Sequence, residues 1–122
     1  MQGNQIRFMD IKELHNKSMD IADAADIEKK KGNNENAISL YKEAFELESQ
    51  AAMLAYEHRI GEPSISILLR STASLAMSCN LYREAEKLIS LALSGEPPAE
   101  IADELRDLME NVNFFRHMEL RG

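Results

Sequence analysis

The side chains best suited to chemistry are few and lie far apart along the chain. His15, His58 and His117 fall in three separate segments. None has another histidine or a cysteine at the spacing of about two to five residues that builds a metal site. They read as surface residues, and no metal is expected. Cys79 is the only cysteine and closes an apolar run, where a thiol packs as a small hydrophobe and stays protonated. The glycines, Gly3, Gly32, Gly61, Gly95 and Gly122, stand singly and mark turns or ends, so no phosphate-cradling loop is present in the sequence. Carboxylate pairs such as Glu43 with Glu46, or Glu100 with Glu104, sit at helical spacing and read as solvated helix faces. Neither a catalytic residue nor a cofactor is expected.

Two features ask for more than a solvated surface. Arg70 is the lone charge between Ser64 and Cys79, among Ser66, Ser71, Ser74 and Ser78. An unpaired buried guanidinium is costly, so Arg70 either pairs with a nearby carboxylate, Glu57 or Glu62, or meets a ligand. The second feature is the tail, where Phe114 and Phe115 are adjacent and Met118 follows. Neighbours on a helix diverge by about 100°, so both rings cannot face one core. One of them meets either the first helix of the same chain or a second copy.

The elements that must position these residues are all helical. Apolar residues recur at three- and four-residue steps from about Asp10 to Lys31, from Asn33 or Asn34 to about Arg59, from Ser64 to about Cys79, from Leu81 to Leu93 and from Ala99 to about Asn113. Lys29 to Lys31 and Gly32 end the first helix, where cations favour the negative dipole end and glycine permits a left-handed cap. Asn33 or Asn34 caps the second helix, and Gly61 with Pro63 stops it. The third helix, with one charge, must be largely buried. Asn80 marks the next turn, and Pro97 and Pro98 precede the last helix.

Length and charge narrow the function. The 122 residues suit one domain, expected over 1–122, and 44% hydrophobic content is enough for a core. With 21 acidic against 14 basic residues the net charge is −7, which repels a phosphate backbone, so direct nucleic-acid binding is not expected. A single cysteine implies no disulfide framework and points to the cytoplasm. Met1 to Asp10 has no apolar run, so neither a leader nor a membrane anchor is expected.

The helices pair, and the pairs share a pattern. Ala37, Tyr41 and Ala44 in the second helix match Ala85, Ile89 and Ala92 in the fourth, with Ala25 and Ala73 equally placed in the helices before them. Small residues let two helices approach, and the bulky residue between fills what the crossing leaves open. From about Asp20 to Pro98 this resembles the tetratricopeptide repeat. The match departs at Ser49, where the family's helix-ending proline is absent, whereas Pro97 keeps it. Ala37 and Ala85 also stand further apart than the about 34 residues of a standard repeat. The ending from Pro97 to Leu108 is similar to that of small bacterial tetratricopeptide-like proteins without assigned activity, which implies a bacterial or phage setting. The first hairpin is also similar to the microtubule-interacting-and-trafficking module.

The resemblance implies an all-α fold of two antiparallel hairpins, about 10–60 and 63–95, followed by a C-terminal helix at about 98–120. It implies a non-catalytic adaptor or scaffold that binds a protein partner in a groove lined by Arg70, Ser74 and Ser78. The family's clamp for a peptide carboxylate is not implied, because Ala22, Asp26, Lys29 and Lys30 occupy the matching places. Phe114, Phe115 and Met118 are the candidate surface for a homodimer. The competing reading, from charge, is an acidic regulator that blocks a nucleic-acid site on a partner.

Overall fold

A computed structural model describes residues 3–121, with side-chain surroundings given from Asp10 to Leu120. Five helices follow one another: α1 Gly3–Lys30, α2 Asn34–Glu57, α3 Ser64–Ser78, α4 Tyr82–Leu93 and α5 Ala99–Arg121. The described residues contain no strand, and the fold class is all-α. α1 begins earlier than the apolar pattern predicts, and α5 continues through the tail beyond Asn113. Met1 and Gln2, part of the segment read as having no leader, lie outside the described residues.

Each helix packs on the next, so α1 with α2 and α3 with α4 form antiparallel hairpins, and α5 lies against both α4 and α3. The odd-numbered helices therefore share one side of the molecule, with α3 in the middle. Its burial follows: Leu68, Leu69, Thr72, Ala73, Leu75 and Ala76 are all enclosed. The alanines marked in the sequence stand where helices approach. Ala25, Ala44, Ala73 and Ala85 are fully buried, and Ala37, Tyr41, Ile89 and Ala92 are nearly so. One apolar cluster joins Ile11 of α1, Ala51 of α2, Leu69 of α3, Ile89 of α4 and Leu105 of α5. A smaller one around Tyr41 and Leu75 fills the end of the first hairpin.

Three helix ends close by one device. At α1, Asn33 N–H donates to the Glu28 carbonyl and Gly32 N–H to that of Lys29, with Gly32 at φ +86°. At α3 the same pair of bonds runs from Leu81 to Ala76 and from Asn80 to Met77, with Asn80 at +65°. At α2 they run from Ile60 to Ala55 and from Arg59 to Tyr56, with Arg59 at +49°. All three are left-handed caps that satisfy orphan carbonyls. The second helix is thus stopped at Arg59, before the Gly61-Glu62-Pro63 breaker that the sequence singles out. Asn33 does occupy the N-cap position of α2, but its side chain makes no capping bond there. It donates instead to Glu28, as does Asn36, and these two hydrogen bonds hold the Glu28 carboxyl below its ordinary value.

Candidate functional site

The shared face of α1, α3 and α5 carries a groove and an ion pair. At one end Ile11, Lys12 and His15 of α1 face Ser64, Ile67 and Leu68 of α3 across a mostly apolar groove of about 220 Å³. Helical spacing explains the lining, because Ile11 and His15 lie one turn apart on α1, as do Ser64 and Leu68 on α3. Ile60, just past the end of α2, closes the groove.

Beside this groove lies a buried polar group that spacing did not reveal. The Glu48 carboxylate on α2 is 0% exposed and accepts from His15 Nδ1 at 2.8 Å. The Ser71 hydroxyl of α3 is the other group acting on that carboxylate. Burial pushes the Glu48 carboxyl above its ordinary value, and Ser71 and His15 pull it part of the way back. His15 is therefore not the plain surface residue expected, whereas His58 and His117 are exposed. The arrangement is also not that of a hydrolytic triad, because the imidazole is hydrogen-bonded to the buried carboxylate and no serine–imidazole hydrogen bond is made among the described residues. Nothing in the spacing of residues 15, 48 and 71 signals the cluster. The only hint is Glu48 at an apolar position of α2, one turn from Ala44 and Ala52.

Arg70 lies on the α5 side of the same face. Its guanidinium pairs with Glu104. The expected partners are otherwise placed: Glu57 is exposed, and Glu62 accepts from the Ser66 amide at 3.1 Å and its hydroxyl at 2.6 Å, capping the start of α3. Only the docking of α5, distant in sequence, brings Glu104 within reach. The pair is half-exposed, at 31% for Arg70 and 55% for Glu104, so Arg70 is not the buried charge that an apolar helix implies. Ser74 and Ser78 are exposed on this face, outside the lining of the α1–α3 groove, and they do not hold the guanidinium. The Ser78 hydroxyl donates back to the Ser74 carbonyl at 3.2 Å.

The rings of Phe114 and Phe115 stay in edge-to-face contact, with centroids 5.4 Å apart, but find different surroundings. Phe115 stacks on Tyr82 of α4, with centroids 5.2 Å apart and planes 9° from parallel. Phe114 turns outward at 60% exposure, and Met118 one turn on is 51% exposed. The intramolecular contact thus comes from α4, whereas the first helix, one of the two alternatives expected, makes no aromatic contact with the tail among the described residues. Arg116, between the two rings and Met118, reaches Glu86 of α4 at 2.7 Å.

Cys79 is buried, its Sγ donating to the Leu75 carbonyl at 3.3 Å, and burial pushes its thiol up. The Tyr41 hydroxyl donates to Asp26, and its phenol is pushed up to about 12 by burial and by that carboxylate. Among the described residues no cluster of histidine, cysteine and carboxylate side chains could hold a metal. No described helix is long and apolar enough to cross a membrane. No protein-family model matches the chain, and neither a curated protein nor a solved structure does.

Proposed function

We propose that this chain is a non-catalytic interaction module of tetratricopeptide-like build, an adaptor or scaffold that takes a protein segment along the shared face of α1, α3 and α5. The observation that carries this reading is the groove between α1 and α3. Its floor is apolar, through Ile11, Ile67 and Leu68, and its rim is polar, through Lys12, His15 and Ser64. Apolar anchors with a polar rim are what a peptide-binding groove needs, since burial supplies affinity and the rim supplies orientation. Arg70 and Glu104, half-exposed on the same face, can exchange their mutual pair for carboxylate and amide groups of a bound segment. The cytoplasm is the proposed setting, on the strength of the single reduced, buried thiol.

Photocrosslinking tests the reading without disturbing the core. A benzophenone side chain placed at Lys12 or Ser64, both exposed on the groove rim, should form an adduct with one and the same protein in host cells. The same probe at Ile38, exposed on α2 well outside the groove, should not. Identical adducts from all three positions, or none from the groove pair, would count against the proposal.

A further inference from the structure

On the other side of the molecule, where α4 meets the end of α5, lies a wider open groove of about 700 Å³. It is lined by Arg83, Glu86, Lys87, Ser90 and Leu91 of α4 and by Arg116 of α5. Three cations meet there in a chain whose net charge is −7. One of them, Arg116, is paired with Glu86 at 2.7 Å. Arg83 and Lys87 are exposed and make no ion pair among the described residues. They stand one turn apart on the same helix face, where like charges repel and destabilise the helix. An anion seated between them removes that repulsion.

The shape of the groove indicates what kind of anion. Arg83, Lys87, Ser90 and Ser94 follow one another at four-, three- and four-residue steps, so they form a straight stripe about 16 Å long. Cations mark one end of the stripe, and hydroxyls with the Leu91 side chain mark the other. A single small ion would use only the cationic end. A long polyanion would bring its remaining charges against an acidic molecule. From the geometry we infer that this groove binds a short extended segment of a partner protein, one face of which carries two acidic side chains followed by an apolar one. Carboxylates pair with Arg83 and Lys87, and an apolar side chain covers Leu91. Arg116 forms the far wall, and the Phe115–Tyr82 stack next to it keeps α5 on α4 so that the wall stays in place. This site is separate from the α1–α3 groove and does not depend on it.

The probe is a fluorescein-labelled Glu-Ser-Glu-Ser-Leu peptide, whose two Glu and one Leu share a face when extended, with the same peptide carrying Gln for Glu as control, followed by anisotropy on the full chain. The Glu peptide should bind and the Gln peptide should not. The double variant Arg83→Gln with Lys87→Gln should weaken binding by about tenfold or more while its melting temperature holds or rises, since two repelling exposed charges are removed. Failure of the Glu peptide to bind, equal binding of the Gln peptide, or indifference to the double variant overturns the assignment. A labelled oligothymidylate that binds more tightly than the peptide, with the same dependence on Arg83 and Lys87, also overturns it and makes the groove a nucleic-acid site.

Discussion

Glu48 is the residue whose environment departs furthest from its type. A carboxylate with no exposed surface keeps its charge only at the cost of desolvation, which His15 and Ser71 offset in part. Its folded pKa is raised, so its favourable contribution is fully present below the ordinary value of 4.5 and is lost as pH climbs from there through the folded pKa. Glu48→Gln keeps an acceptor for His15 and removes the titration. The melting temperature of the variant, measured against the native chain, should therefore rise in relative terms between about pH 4 and pH 7. A difference that is flat or falling over that range would sink this account of the cluster. Arg70 makes a contrasting case. Its pair with Glu104 is half in solvent, so Arg70→Ala should cost no more than about 1 kcal/mol in a urea titration. A loss of about 3–5 kcal/mol would mean that the pair is effectively buried and structural.

At the scale of elements, the helix ends carry the most instructive disagreement with expectation. Gly32 and Asn80 occupy left-handed caps and are residue types that tolerate them. Arg59 occupies an equivalent cap at φ +49° with a full side chain that is exposed and makes no ion pair among the described residues. The Schellman-type hydrogen bonds from Arg59 and Ile60 and the burial of Ala55 hold it there. Arg59→Gly should stabilise the domain by about 0.5–1 kcal/mol, the relief of left-handed strain less the added chain entropy. A raised urea midpoint with an unchanged slope is the expected reading, and a lowered midpoint would show that the side chain contributes something the strain does not outweigh.

At the scale of the whole molecule, the far end of α5 gathers four of the seven exposed large apolar side chains among the described residues, Phe114, Phe115, Met118 and Leu120. Phe114 and Met118 lie one turn apart at 60% and 51% exposure, with Phe115 beside them at 41%. Clustered exposed apolar side chains mark association sites. We expect the chain to self-associate through this end. Light scattering at about 100 µM, a concentration at which weak dimers form, should give a mass above the 13.8 kDa of one chain. Phe114→Glu with Met118→Glu should return it to one chain. A native chain that stays at the single-chain mass would end this reading of the tail.

Local pattern was enough for the helices and for much of their packing. The three- and four-residue recurrence of apolar side chains carries the helix count, and the Ala37, Tyr41, Ala44 and Ala85, Ile89, Ala92 spacings mark buried contact positions. Both signals arise within about one to three helical turns, where covalent geometry already decides which side chains share a face. That Phe114 and Phe115 find different neighbours was legible for the same reason. The partners of the charged groups were not. Glu48 finds His15 on another helix, Arg70 finds Glu104 rather than the nearer Glu57 or Glu62, and Arg116 reaches Glu86 to wall the cationic groove. Each of these pairs joins residues far apart in the chain, and only the crossing of packed helices brings them together. Spacing can say which face a charge occupies; which opposite charge arrives at that face was decided by how α1 docks on α2 and α5 docks on α3 and α4.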